Sequence, residues 1–435
     1  MQWKTADYTG WGRALRARGT LARPERVSAL SAALMGRGPA IGNRRSYGDG
    51  PLNDGGAAVV MTRMDRLLAF DPDTGVLEAE AGITIAELLR VFAPRGWMPA
   101  VMPGTGFATL GGSIANDVHG KNHHGAGSFG QHVLALTLMT DAGPREVTAE
   151  NDPDLFRATM GGQGQTGAIL SAKLQLAAIL GQRMKVTETR IADFDAFIAA
   201  FDTSQAEFTV GWIDATARRK RLGRGILEEG TLVEGTRPGP LKRALGVPLD
   251  APGFALSKPV VKLFNRFYLS RVPDTARKRT RPLDDFFFPL DRIHDWNRLY
   301  GKRGFQQFQC VVPLDQAAAL KEILTTIAKA GIASPLAVLK KMGPGRAGHL
   351  SFPMAGYTLA VDFPARKKVP AIFQRLEQQV LAAGGRLYFA KDGLAHPDSI
   401  AAMYPELDAW RAVVARVDPE GHNKTDLVRR LKLRS

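Results

Sequence analysis

Along the chain, short apolar runs broken by glycine give way near residue 185 to longer stretches of alternating or helical pattern. In AAVVMTRMDRLLAFDPDTGVLEAEAG two strand-like runs flank Asp71-Pro72-Asp73-Thr74-Gly75, residues that favour a tight turn. In ITIAELLRVFAPRGW, Ile85, Leu88, Leu89 and Phe92 recur at helical spacing behind a capping Thr84, and a break follows at Pro103-Gly104. Between 185 and 385, strand-like VTETRI and FTVGWID alternate with helical stretches such as PLDQAAALKEILTTIAKAG. Residues 386–435 read as a return segment. The pattern predicts an α+β protein with a first domain over 1–180, a second over 181–385, and 386–435 completing the first.

A chain of 435 residues exceeds one ordinary core, which agrees with two domains. The 45% hydrophobic and 23% charged content is that of a globular protein rather than a disordered one. Cys310 is the sole cysteine, which excludes an intrachain disulfide and a thiolate metal cluster and points to a reducing compartment. MQWKTADYTGWGRALRARG lacks the apolar stretch of a signal peptide, and no run of about 18 uncharged apolar residues follows. A cytoplasmic protein without a spanning helix is therefore expected. The formal net charge of +16 suits an anionic partner: nucleic acid, an acidic lipid surface or a phosphorylated substrate. No zinc-finger, RNP-type or basic-zipper pattern supports nucleic acid.

Two loops carry the strongest chemistry: Gly42-Asn43-Arg44-Arg45-Ser46-Tyr47-Gly48-Asp49-Gly50, and Pro103-Gly104-Thr105-Gly106 continuing through Thr109-Leu110-Gly111-Gly112 to Asn116. Glycines lacking Cβ let successive N–H groups close around phosphate oxygens, and a pyrophosphate is the natural guest of two such loops. Either loop alone also reads as a ligand-free turn. Neither is a strand–GxGxxG–helix fingerprint, and no GxxxxGK[ST] occurs, which disfavours nicotinamide and P-loop sites. Next comes His119-Gly120-Lys121-Asn122-His123-His124. Its histidines lack a carboxylate or cysteine at ligand spacing, so no metal is expected. Its imidazole and ammonium donors suit negative charge developing on a flavin ring or a substrate oxygen, while His123 and His124 also read as satisfied structural residues.

These loops and HGKNHH resemble the FAD-linked oxidases of the vanillyl-alcohol-oxidase, or p-cresol-methylhydroxylase, fold. YTGWGR, RRSYGD, HGKNHHGAGSFG, FQCVVP, LSFP, VDFP, RLYFAKD and MYPELDAW extend the resemblance over nearly the whole chain, thinning between 225 and 285. They point to the members that act on a polyprenylphosphoryl ribose. The resemblance implies a first domain that holds FAD and a second that sets an antiparallel sheet over the flavin ring. It implies oxidation of the ribose 2'-hydroxyl to a 2'-keto intermediate. A separate short-chain NAD(P)H-dependent reductase would complete epimerisation to the arabinose donor of cell-wall arabinan. It places Asn43, Arg44, Arg45, Ser46, Tyr47, Gly48, Asp49, Gly104, Thr109, Gly111, Gly112, Asn116, His119 and Tyr388 at the cofactor. Lys121, Trp212, Gln307, Gln309, Lys340, Ala360 and Lys391 fall at substrate positions, with Lys391, His119 and Lys121 in catalytic ones. The sequence departs from the family pattern at two places: Ala360 stands where the best-known form has a cysteine beside the flavin, and Met342 where an aromatic residue is expected to shape the pocket.

Read without the resemblance, several of these residues keep two meanings. Lys391, in the apolar run Tyr388-Phe389-Ala390-Lys391-Asp392, is either a strand-end lysine reaching water or an ammonium of lowered pKa that takes the hydroxyl proton. Gln307 and Gln309 share one strand face, as ordinary polar residues or as donors to sugar hydroxyls. Between the basic stretches 218–221 and 277–281, ALSKPVVKLFNRFYLSRV interleaves apolar residues with Lys258, Lys262, Arg266 and Arg271. It reads either as a segment lying in an anionic membrane interface, with the protein peripheral to the inner membrane, or as a buried helix with basic flanks. Oxidation of a free sugar, alditol or aldonolactone is the competing enzymatic reading, and binding of lipid or nucleic acid without catalysis the non-enzymatic one.

Overall fold

The computed structural model describes residues 2–34, 38–140, 143–237 and 244–434. The glycine-punctuated first part builds two sheets. Lys4–Thr9, Arg16–Ala22, Ala57–Val60 and Ala40–Ile41 pair in that order into one. Leu67–Phe70, Val76–Glu80, Ala168–Ala178, Val133–Thr140 and Gly143–Thr148 form the second, with Trp97–Pro99 also pairing with Ala168–Ala178. The predicted turn closes the antiparallel pair Leu67–Phe70 and Val76–Glu80. Asp71 Oδ1 accepts from the Asp73 N–H at 2.9 Å, and Gly75 takes a φ of +73° that a side chain would resist. The helix Ile85–Phe92 buries its four periodic residues, and the Thr84 hydroxyl accepts from Glu87 N at 3.2 Å. It stops at a 3-10 turn and Gly96 (φ +82°), well before Pro103-Gly104, which instead belongs to a cavity wall.

The second part is organised by one eight-stranded antiparallel sheet. Its order is Arg277–Pro282, Arg183–Ile191, Gly225–Val233, Phe208–Ile213, Ala337–Met342, Gly356–Pro364, Phe305–Pro313 and Arg386–Leu387. Side chains alternate between its faces. Phe308, Cys310, Leu339, Leu359, Val361 and Phe363 are fully buried on the face where the helices Ala317–Ala330, Val369–Ala382 and Phe194–Thr203 pack. The alternate positions of the central strands face the first part of the chain.

The return segment differs from its expected form in one respect. Among its described residues only Arg386 and Leu387 are strand, and they extend the second sheet by pairing with Val311 and Cys310. Residues 388–391, expected as a strand, are a turn in which the Lys391 and Asp392 N–H groups both donate to the Tyr388 carbonyl at 3.0 Å. The Asp392 carboxylate competes successfully with strand geometry by accepting from Leu394 N and Ala395 N at 2.9 Å. Beyond it the chain packs on the first part: Asp426 N donates to Leu52 O, and Trp410 Nε1 to Ala158 O.

The basic-apolar segment forms the helix Lys258–Ser270, in which only Val261 and Asn265 are fully buried. The buried-helix alternative does not hold.

Candidate functional site

One large cavity lies between the glycine loops and the open face of the eight-stranded sheet. On the loop side it is walled by Gly42 to Tyr47 and by Gly104, Thr109, Gly111, Gly112 and Asn116. Local hydrogen bonds shape this wall. Asn43 Nδ2 donates to Phe107 O at 3.0 Å, tying one loop to the other, and the Thr109 hydroxyl accepts from Gly112 N at 3.2 Å. Arg44 sits at φ +52°. The Arg45 guanidinium is 4.2 Å and 4.5 Å from the ring centres of Trp11 and Phe107. A Cβ on Gly104 would meet nothing within 4 Å, so this backbone is open to a guest.

Gly48 and Asp49, expected at the cofactor, do not line the cavity. A Cβ on Gly48 would lie 1.5 Å from the Asp392 carbonyl oxygen, so this glycine exists to let the return segment approach. Asp49 is buried and held in a fork by Arg430 at 2.7 Å and 2.8 Å. The same guanidinium reaches Asp392 at 2.9 Å, and the trio fixes the turn that carries Lys391. Met342 is also absent from the wall: it is buried in a cluster with Val311, Phe352, Tyr388 and Ala390, behind the cavity rather than in it.

The sheet side follows from register. Trp212 pairs with Val338, Val338 with Ala360, and Ala360 with Gln309, so these four form one row across the sheet and all line the cavity. Two residues along in one direction Asp362 pairs with Gln307, and two along in the other Lys340 pairs with Thr358. Gln309 Nε2 lies 3.2 Å from His119 Nε2, whose ring packs against Phe352 and Tyr388. Trp212 Nε1 is committed to Pro335 O at 2.8 Å, leaving the ring as its contribution to the wall.

Three lysines converge here. Lys391 lies over the Tyr47 ring, its Nζ 3.4 Å from the centroid. Burial pushes its pKa down to about 8, opposed by the attraction of Asp362. Burial likewise lowers Lys340 to about 7, assisted by Lys121 and Lys391, and Lys121 to about 8. The Lys121 ammonium donates to Phe286 O and sits over that ring. Burial holds His119 well below the usual imidazole range, with Lys340, His123 and Lys391 adding to the effect, so it is a neutral ring.

Asp362 is the residue that sequence reasoning passed over. Fully buried, it accepts from Tyr300 Oη at 2.8 Å and from Gln307 Nε2, and burial drives its pKa upward against those bonds and against Lys391. VDFP held its only signal, a lone acid in an apolar strand. Asp291 was also missed: it accepts from Thr105 Oγ1 at 2.8 Å and Gly106 N at 2.7 Å, closing the second part over the second loop. His123 and His124 are structural: His123 Nδ1 accepts from Gly343 N at 3.1 Å, and His124 Nε2 contacts Ala206 O at 3.0 Å. Among the described residues no three His, Cys, Asp or Glu side chains gather as metal ligands would.

The donor set fits a flavin dinucleotide. Arg45 Nε, Asn116 Oδ1 and His119 Nδ1 are buried at the wall without a protein partner, and an unpartnered buried polar group calls for one. Open glycine backbone suits the pyrophosphate, and the lysines suit an electron-rich ring.

The comparisons agree with this geometry. Residues 37–148 match a family model described as an FAD binding domain. The decaprenylphosphoryl-β-D-ribose oxidase of Mycolicibacterium smegmatis is 37% identical over 99% of this chain and 98% of its own. An uncharacterised protein of Streptomyces coelicolor is 32% identical over 81% of this chain and 100% of its own. L-gulonolactone oxidase of Mus musculus is 30% identical, over 31% of this chain and 30% of its own.

Proposed function

This chain belongs to the FAD-dependent oxidoreductases represented by that mycobacterial decaprenylphosphoryl-ribose oxidase, and we propose that it oxidises the 2'-hydroxyl of a polyprenylphosphoryl-β-D-ribose to the ketone. The observation that carries this reading is the buried Lys391, which feels the charge of Asp362 and lines one cavity with Gln307, Gln309 and His119, beside the glycine loops.

FAD, when bound, supplies the hydride acceptor. The chain's own residues manage the proton and the sugar. In its neutral form Lys391 accepts the hydroxyl proton as the C–H bond breaks, and the ammonium so formed is stabilised by Asp362. Lys340 and Lys121 offer positive charge to the other sugar oxygens, and the Gln307 and Gln309 amides, held by Asp362 and His119, keep a fixed orientation toward them. Ala360, between Val338 and Gln309, leaves room and takes no part in proton transfer. The roles of Asn43 to Tyr47, Gly104, Thr109 to Gly112, Asn116 and Tyr388 at the cofactor belong to the same reading. Reduction of the ketone to the arabinose epimer would fall to a separate nicotinamide-dependent reductase, since neither glycine loop is the strand–GxGxxG–helix fingerprint of such a site.

A lipid-linked substrate has to be met at a membrane. No helix among the described residues is long and apolar enough to cross one. The helix Lys258–Ser270 instead exposes Leu263 (70%) and Phe267 (73%), with Phe254 (72%) just before it, beside Lys258, Lys262 and Arg266. Apolar side chains ringed by cations suit peripheral docking on an anionic leaflet.

The test is anaerobic mixing of the FAD-loaded protein with polyprenylphosphoryl ribose, ribose, arabinitol and an aldonolactone in turn, following the visible flavin absorbance. Bleaching by the lipid-linked sugar alone is expected. Faster bleaching by a free sugar, alditol or lactone would overturn the substrate assignment.

A further inference from the structure

Beyond the sugar pocket, the cavity continues to a group that the reaction described so far does not use. Glu228, Arg281 and Tyr268 line it there, with Trp212 and Lys121. The strand Arg277–Pro282 is an edge strand whose alternate residues Arg277, Arg279 and Arg281 turn inward while Lys278 and Thr280 are exposed. Buried Glu188 takes Arg277 at 2.7 Å, Arg279 at 2.9 Å and Arg271 at 3.2 Å. Glu228 is left with loose contacts, Arg281 at 3.4 Å and Arg271 at 3.6 Å. Four arginines thus share two carboxylates, and Lys121 adds a further cation that feels both Glu228 and Arg281. Arg271 Nε, Arg277 Nη2 and Arg279 Nε are buried without a partner. The cluster is short of an anion, and Arg281 is the arginine of the four that lines the cavity.

An aromatic path starts at the same place. The Trp212 ring lies 4.6 Å from that of Tyr268, which stacks on Phe264 at 5.8 Å. Tyr268 is on the inner side of the helix Lys258–Ser270, and Phe264 is 45% exposed beside Leu263 and Phe267. The path therefore leads from the cavity to the helix face already assigned to the membrane. From the strand of Ala360 to that of Glu228 is three strand spacings, roughly 14 Å. Arg281 stands two strands farther out, on the edge strand, and its side chain reaches back toward Glu228.

We infer that Arg281, supported by Lys121, binds the phosphodiester of the substrate, and that Trp212, Tyr268 and Phe264 conduct its hydrocarbon chain to the exposed face of the helix Lys258–Ser270. The inference rests on the lipid-linked reading of the substrate. It explains how a sugar can reach the lysines while its lipid stays outside. A guanidinium fork matches a phosphate, and Glu228 at a loose 3.4 Å is readily exchanged for a better acceptor.

The test compares Arg281→Gln with Lys278→Gln, the same loss of charge on the same strand but facing out. A charge-assisted contact of this kind is worth roughly a 10- to 100-fold change in affinity. The KM for polyprenylphosphoryl ribose should rise by that factor in Arg281→Gln while kcat holds, and binding of polyprenyl phosphate without a sugar should weaken equally. Arg281→Lys, which keeps the charge but not the fork, should fall between and serves where the glutamine variant does not fold. Inorganic phosphate should compete poorly against the sugar-free lipid, since it cannot use the aromatic path. An unchanged KM in Arg281→Gln, or an equal rise in Lys278→Gln, overturns the assignment. Failure of polyprenylphosphoryl ribose to bleach the wild-type protein would instead overturn the substrate reading itself.

Discussion

Replacing Lys391 by alanine removes the group assigned to the hydroxyl proton and little else. Its backbone N–H donates to Tyr388 O at 3.0 Å, and Asp392 remains fixed by Arg430, so the turn survives the substitution. Asp362 loses the cation that favours its charged form, and its pKa moves further up. A protonated Asp362 leaves no uncompensated charge, and Tyr300 and Gln307 still hold it, so the fold loses little. FAD content should be retained because the glycine loops are untouched. Turnover should not be: a lost acid–base group removes on the order of 10² to 10⁴ in rate. The pH profile separates this role from a structural one. With the lysine at about 8, about a tenth of it is neutral at pH 7, and that fraction grows about tenfold per unit below its pKa. Flavin bleaching by saturating polyprenylphosphoryl ribose should therefore climb from pH 6 to pH 8 and level off. The climb should vanish in Lys391→Ala. Bleaching at the wild-type rate, or with the wild-type pH profile, would show that the proton leaves by another route.

Three further outcomes follow from other parts of the molecule. Gly48→Ala puts a methyl group 1.5 Å from a backbone oxygen that cannot yield cheaply, and it should undo the docking of the return segment, seen as a large drop in Tm and in soluble yield. Burial lowers the His123 pKa from 6.5 to about 4, so the unfolded chain binds more protons between those values and stability is lost as pH falls through that window. By pH 5 the loss is about 2 kcal/mol, and denaturant unfolding of His123→Gln at pH 7.5 and pH 5 should show an acid penalty smaller by that amount. Leu263→Asp with Phe267→Asp should abolish sedimentation with phosphatidylglycerol vesicles, and wild-type binding should fall as salt rises; retention by the double variant would exclude this helix as the docking element.

The part of the site legible in the sequence is the part made by contiguous residues. A pyrophosphate cradle needs neighbouring backbone groups, so Gly42 to Tyr47 and Thr109 to Gly112 announced themselves as motifs. Contiguity does not say which way a residue faces. Gly48 and Asp49 continue the same motif, yet they turn to Asp392 and Arg430, partners more than 300 residues away. Lys391 lay in an apolar run with strand-like composition, and the carboxylate of the next residue decided for a turn. Asp362 and Arg281 were harder still. Each is one charge on one strand, and its meaning comes from the register that sets Asp362 across from Gln307 and from the edge position that turns Arg281 toward Glu228.

The same register argument bears on Ala360, the position where the best-known members of the family carry a cysteine. Ala360 sits in the cavity row between Val338 and Gln309, so a thiol there would face the site, and in this chain there is none. The sole cysteine does not replace it. Cys310 is adjacent to Gln309 on its strand and therefore points to the opposite face, where it is fully buried and its thiol is pushed up to about 12. A ligand that depends on forming a bond to sulfur has no partner in this cavity, while Lys121, Lys340, Lys391 and Asp362, to which the proposed mechanism gives the charge and proton chemistry, all line it. The proposed oxidation uses groups that are independent of a thiol, so on this reading the alanine changes what can be captured in the site and not the reaction.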